Sequence, residues 1–310
     1  MPPLAPSAIA GIWGTLLLPL NEDESIDFAR LRDEIDAFLD AGVDGIYSNG
    51  SAGEFYAQSE DEFDRVSALL AEICTRRNRP FQIGVCHTSA QGSLARLRRA
   101  LALQPGALQV VLPDWFAPTI DEAVDFLRRM ADAAAPIGLV VYNPLHAKRV
   151  LTAAEWLVVA DRVPGIVGLK VAGGDASWYA EMRPLLRRLS VFVPGHFLAS
   201  GYAQGAAGSY SNVACLSPRG ARRWFELMHA DPVEALARER RIQAFFKTHI
   251  IPFLAEQRYT NSAVDKLLAA IGGWAKVGTR LRWPYRWIDE TEALRLREIA
   301  FRELPELMNH

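Results

Sequence analysis

Apolar residues along the first two thirds of the chain fall into short, nearly unbroken runs: residues 12–18, 45–48, 81–86, 108–112, 138–142, 166–171, 191–193 and 209–213. Runs of this length without polar alternation predict strands buried on both faces, as in a parallel sheet. Amphipathic helical patterns lie between them. Phe28, Leu31, Ile35, Phe38 and Leu39 share one face, and Gly42 ends that helix. Three helices open with a capping box, Ser59-x-x-Glu62, Thr119-x-x-Glu122 and Thr152-x-x-Glu155. In each, the hydroxyl accepts from an early helix N–H while the glutamate reaches back to the cap. The repeated order of strand, loop and helix predicts an α/β fold with a parallel sheet. Eight such units in roughly 215 residues fit a (β/α)8 TIM barrel better than a doubly wound sheet. Past Val213 the pattern becomes helical to the end, with Ser217-Pro218 and Asp231-Pro232 as helix starts and loops near Gly272-Gly273 and Trp283-Pro284. The expected organisation is a barrel over residues 1–230 and a C-terminal helical extension over 231–310, packed on the barrel, with no flexible linker.

Composition narrows the function classes. Half of the 310 residues are hydrophobic, enough for a sizeable core. Net charge is −2, from 34 basic and 36 acidic residues, so nothing electrostatic points to nucleic acid as a partner. The basic runs Arg96 to Arg99, Arg187 to Arg188 and Arg238 to Arg241 fall within helical patterns and read as solvated faces. Cys74, Cys86 and Cys215 are odd in number and widely spaced, which argues against a disulfide framework or structural zinc. The apolar N-terminus lacks a cationic segment and is broken by Pro2, Pro3 and Pro6, so residues 11–20 read as a buried strand rather than a signal peptide. No run is long enough to span a bilayer. The expectation is a soluble, cytoplasmic protein without a membrane partner.

In a TIM barrel the active site lies where strands end and βα loops begin. Four positions there carry candidate chemistry. Lys170 interrupts the apolar strand over 166–171 in a protein with only five lysines. Burial disfavours an ammonium and frees the amine as a nucleophile; the competing reading is a lysine that snorkels or pairs with a carboxylate at the rim. Tyr142 ends the neighbouring strand, where its phenol can carry protons or simply pack. Gly50-Ser51-Ala52-Gly53-Glu54 follows the second strand. It suits a carboxylate through backbone N–H groups and the Ser51 hydroxyl, or is an ordinary βα turn. The small residues of Gly205-Ala206-Ala207-Gly208-Ser209-Tyr210-Ser211-Asn212 leave room beside Lys170, or allow close helix–strand packing. His87 and His146 near strand ends, and Lys148, are secondary candidates; structural or solvated roles suit each at least as well.

Together these segments resemble the dihydrodipicolinate synthase / N-acetylneuraminate lyase family along nearly the whole chain. Gly50-Ser51-Ala52-Gly53-Glu54 resembles its G-[TS]-[TA]-G-E signature, and Tyr142-Asn143-Pro144 a shortened Y-N-x-P segment. Gly168-Leu169-Lys170 resembles its G-[IV]-K motif, and Asn261 to Ile271 and Arg280 to Tyr285 resemble two stretches of its C-terminal region. The resemblance implies a homotetrameric class I aldolase or lyase without metal or organic cofactor, acting on pyruvate or a related 2-oxo acid. It implies that Lys170 forms a Schiff base, that Tyr142 shuttles protons, and that Gly50, Ser51 and Ala52 surround the substrate carboxylate. It places Gly195, Ser209, Tyr210, Trp115 and His146 around the substrate.

Departures from the family pattern bear on the substrate. Trp115, in Pro113-Asp114-Trp115-Phe116, stands where the synthases carry a relay tyrosine, and an indole cannot relay a proton that way. Ala52 replaces a hydroxyl residue, and the arginine expected after Y-N-x-P is replaced by a loop of His146, Ala147 and Lys148. Gly195-His196-Phe197-Leu198 lacks the polar grip that sialic acid lyases place after the seventh strand. Trp115, Phe116, Phe197 and Tyr210 are thus expected to form a pocket for an apolar substituent. The alternatives are dihydrodipicolinate synthase proper, which Trp115 disfavours, and a noncatalytic paralogue that binds a 2-oxo acid. A metal-dependent aldolase would need a His/Asp/Glu cluster that the six histidines do not suggest.

Overall fold

The computed structural model describes residues 1–309. Eight strands, each paired in parallel with the next and the last with the first, close a barrel. They are β1 (Gly11–Thr15), β2 (Gly45–Ser48), β3 (Phe81–Gly84), β4 (Ala107–Val111), β5 (Leu139–Asn143), β6 (Ile166–Val171), β7 (Ser190–Phe192) and β8 (Gly208–Tyr210). After the first four strands come α1 (Phe28–Asp40), α2 (Glu60–Arg76), α3 (Ala90–Ala100) and α4 (Ile120–Ala134). After the last four come α5 (Ala153–Arg162), α6 (Ala176–Leu186), α7 (Leu198–Ala203) and the pair α8 (Asn212–Leu216) and α9 (Pro218–Ala230). This is the TIM barrel that the hydrophobic runs predict.

Local chemistry sets the helix starts. Ser59, Thr119 and Thr152 each close a full capping box with the glutamate three residues on. Ser217 and Asp231 cap α9 and the next helix, with Pro218 and Pro232 at the first helical positions. Two strand ends differ from expectation. β1 stops at Thr15 rather than residue 18, because the Leu17 N–H leaves the ladder and donates to Glu34 Oε1 at 2.8 Å. β8 stops at Tyr210 rather than Val213, because the Ser211 side chain accepts from the Ala214 N–H and starts α8.

Strand alternation divides the core in two. One face of each strand packs under the helices, with Ile12, Ile46, Ile83, Leu108, Val141, Leu169 and Val191 buried there. The other face fills the barrel with Trp13, Tyr47, Ala107, Val140, Phe192 and Tyr210, and Ile9 and Leu4 close the end where strands begin. After α9 the chain continues as α10 (Pro232–Phe245), a π-helical turn (Phe246–Ile250), α11 (Ile251–Ala255), α12 (Asn261–Gly272), α13 (Glu290–Glu303) and α14 (Pro305–Met308). α12 packs against α8. Its buried Lys266 lies 2.6 Å from the equally buried Glu54 of the β2 loop and donates to the Arg280 carbonyl at 2.6 Å. Among the described residues no helix is long and apolar enough to cross a membrane.

Candidate active site

A cavity of about 370 Å³ opens where β5, β6 and β8 end, and α12 and the π-helical turn cover it. β5 and β6 pair with Tyr142 directly opposite Lys170, so strand register alone brings the two side chains together. The Lys170 ammonium donates to the Tyr47 hydroxyl at 3.1 Å. It lies 4.1 Å from the centre of the Tyr142 ring, 4.8 Å from that of Tyr47 and 5.3 Å from that of Tyr210. Three phenol faces offer a cation some stabilisation, but loss of water outweighs it: burial lowers the Lys170 pKa to about 8. Burial also raises Tyr142 to about 12, partly offset by the Ser51 hydroxyl beside it. Tyr210 is pinned by donating to Gln82 Oε1 at 2.6 Å.

Ser51 and Ala52 line the cavity beside Tyr142. Among the described residues, neither of their backbone N–H groups finds an acceptor in the chain, which leaves two donors at the cavity wall. The loop is tied to α12 through the Ser51 carbonyl, which accepts from the Ser262 hydroxyl at 2.8 Å. His146 lines the cavity too, its pKa lowered mainly by burial.

The other expected site residues stand elsewhere. Trp115 is 77% exposed, its carbonyl accepts from Lys148 Nζ at 2.6 Å, and neither residue reaches the cavity. Phe116 and Phe197 are also exposed and outside it. Ser209 is fully buried but pairs in register with Ile12, on the strand face under the helices, so it points away from the site. Gly50 serves Tyr47, because a Cβ there would overlap the Tyr47 hydroxyl. A Cβ on Gly195 would meet Ser211 and Asn212 rather than open space. His87 accepts from the Ser89 N–H at 3.0 Å and is not on the main cavity wall.

Several site residues have no counterpart in the expected set. Tyr47 is not on the cavity wall but accepts from Lys170 Nζ, and it was hidden because its inward direction depends on barrel closure. His196 stacks on Phe246 with ring centres 5.0 Å apart and meets Asn212 Nδ2 through Nδ1 at 2.8 Å; burial lowers its pKa to about 4. Phe246, Ile250, Ile251 and Leu254 form an apolar wall. The pocket is therefore apolar as expected, but the C-terminal helices build it rather than Trp115, Phe116 and Phe197. Asp265, on α12, faces Lys170 across the cavity. The one signal for it in the sequence is a charged pair, Asp265-Lys266, inside the otherwise uncharged helix Asn261–Gly272.

A model described as the Dihydrodipicolinate synthetase family matches residues 8–301. Trans-O-hydroxybenzylidenepyruvate hydratase-aldolase of Sphingobium xenophagum is 27% identical over 55% of this chain and 54% of its own length. The chain thus spans about half of that relative. N-acetylneuraminate lyase of Escherichia coli is 27% identical over 64% of this chain and 67% of its own. Among solved structures, YagE, a prophage protein of the dihydrodipicolinic acid synthase family from E. coli K12 in complex with pyruvate, superposes with a TM-score of 0.83. It covers 95% of this chain and 98% of its own at 20% identity. The Clostridium difficile protein CdNal, in complex with mannosamine, gives 0.82 over 96% and 99% at 18% identity. These likenesses at low identity bear on the fold.

Proposed function

This chain belongs to the dihydrodipicolinate synthetase family, and from that premise we propose that it is a class I lyase in which Lys170 forms an imine with pyruvate or a related 2-oxo acid. The observation that carries this reading is the placement of Lys170. Its amine is withdrawn from water at the barrel mouth, ringed by phenols, and depressed to about 8. A substantial fraction is then neutral near physiological pH, as attack on a carbonyl requires. The names of the relatives, a hydroxybenzylidenepyruvate hydratase-aldolase and an N-acetylneuraminate lyase, agree with that chemistry.

In this reading the Ser51 and Ala52 N–H groups and the Ser51 hydroxyl hold the substrate carboxylate. The C2 carbonyl then faces Lys170 Nζ. The amine adds to C2, and Tyr142 transfers a proton to the carbinolamine oxygen so that water leaves. The resulting iminium draws electrons from C3, which permits C–C cleavage or formation. A homotetramer in the cytoplasm completes the reading and rests on the family resemblance.

The test is incubation with pyruvate and borohydride followed by peptide mass spectrometry. A reduced adduct on the peptide carrying Lys170, absent from Lys170→Ala, is the expected result. An adduct on another lysine, or none on a folded wild type, overturns the assignment.

A further inference from the structure

We propose that Asp265 is the base that removes the C4 hydroxyl proton from a 4-hydroxy-2-oxo acid whose C4 substituent is apolar and uncharged. The inference rests on the imine reading of Lys170. It starts from the geometry of α12. Asn261, Val264, Asp265 and Leu268, at i, i+3, i+4 and i+7, form one stripe of that helix, and all four line the cavity. Lys266 points the opposite way, into its ion pair with Glu54. Asp265 is therefore the ionisable group that α12 presents to the site.

Among the described residues the Asp265 carboxyl has no hydrogen-bond donor and no ion-pair partner at contact distance; only burial and the charge of Lys170 act on it. Asp265 is half-buried and its carboxyl opens onto the cavity, where no donor of the chain satisfies it. A substrate hydroxyl at the cavity would supply the missing donor. Burial raises the Asp265 pKa to about 7. That suits a base working near neutrality, whereas the Tyr142 phenol at about 12 yields little phenolate.

The walls define what hangs from C4. Phe246, Ile250, Ile251, Leu254, Val264 and Leu268 surround the space beyond Lys170, and among the described residues no arginine or second lysine lines it. A second carboxylate or a phosphate on the substrate would meet no counter-charge and would face Asp265. An aryl or alkyl group would displace water from apolar surface.

The step balances as a retro-aldol cleavage. With the substrate held as its Lys170 iminium, the C4 O–H bond breaks and its proton passes to Asp265. The oxygen electron pair forms the C4=O bond of an aldehyde. The C3–C4 bond breaks, and its electrons move through C3 and C2 to the imine nitrogen, giving an enamine. The proton on Asp265 returns to C3, and water hydrolyses the imine to pyruvate and free Lys170.

The titratable groups around Asp265 are Lys170 on β6, Tyr142 on β5, Tyr210 on β8, Tyr47 on β2, Tyr56 in the β2 loop, Cys215 on α8, and the cavity histidines His146 and His196. Once Lys170 is an iminium it no longer titrates as an amine. Both histidines are shifted downward by burial, and the tyrosines and Cys215 upward. The acid limb of kcat, at or below about pH 7, is then that of Asp265.

The experiment compares wild type, Asp265→Asn and Asp265→Leu for cleavage of 4-hydroxy-4-phenyl-2-oxobutanoate, alongside pyruvate–borohydride trapping and thermal melting. The expected result is a fall in kcat of about 100-fold or more in Asp265→Asn, loss of its acid limb, and a pyruvate adduct that still forms on a folded variant. A kcat within threefold of wild type overturns the inference, as does a loss of trapping in parallel with kcat. Preferential cleavage of the dicarboxylate 4-hydroxy-2-oxopentanedioate overturns the tail assignment. A wild type that traps pyruvate but does not cleave the phenyl aldol overturns this inference alone, whereas a wild type that forms no adduct overturns the imine reading beneath it.

Discussion

An ammonium withdrawn from water is held at a cost to the fold, and Lys170 shows both the cost and its use. Its folded pKa of about 8 lies below the unfolded value of about 10.4. Between these values the unfolded chain binds more protons, so stability rises as pH climbs from about 8 towards 10.4, and the penalty is fully present below about 8. Lys170→Met is therefore expected to stabilise the protein at pH 7, by ~1–3 kcal/mol, read as a higher midpoint in urea. A midpoint at or below wild type would mean that the phenol rings and Asp265 compensate the buried charge. The same pKa governs reactivity, with the opposite benefit. Only the neutral amine attacks a carbonyl, so the rate of pyruvate adduct formation is expected to fall about tenfold per pH unit below about 8, as timed borohydride quenches would show. A rate flat from pH 8 to pH 6 would place the nucleophile's pKa lower and would require a stronger desolvation than the cavity provides.

The β2 loop shows how one element serves the site indirectly. Gly50 has an ordinary backbone conformation; what it supplies is space, because a Cβ would overlap the Tyr47 hydroxyl. Gly50→Ala should displace Tyr47, break its hydrogen bond to Lys170, cost ~1–3 kcal/mol and slow trapping by pyruvate. If trapping is unchanged while stability falls, Tyr47 is packing only. Features decided within a few residues were legible in the sequence. Ser59, Thr119 and Thr152 cap helices because a glutamate lies three residues on, and Lys170 and Tyr142 stand at strand ends because apolar runs locate the strands. Features decided by docking were not. Val213 is apolar and continues a strand pattern, yet Ser211 captures the Ala214 N–H and starts a helix. Ser209 and Tyr210 are adjacent, and only the pairing of β8 with β1 decides which of them enters the barrel. Trp115 had a plausible place beside the site, but its loop carries it outwards, where Lys148 holds its carbonyl.

At the scale of the whole molecule the barrel supplies the lysine and phenols, while the π-helical turn, α11 and α12, which follow the barrel in the chain, supply the apolar wall and Asp265. The orientation of α12 is then as important to the site as any strand. It is set from behind by Lys266, which sits against Glu54 with Glu34 close enough to act on its charge, all three buried. Burial lowers the Lys266 pKa and raises that of Glu34, while their mutual attraction opposes both shifts. Removing one partner from such a cluster strands the others without a counter-charge. Lys266→Met is expected to cost ~3–5 kcal/mol in urea unfolding, and the double variant Lys266→Met/Glu54→Gln to recover part of that loss. The pair belongs to the docking of α12 rather than to chemistry, so the single variant should also raise KM for a 4-hydroxy-2-oxo acid more than it slows trapping of pyruvate. Equal loss of both would show that α12 holds the whole barrel mouth together, with the lysine site and the tail pocket inseparable.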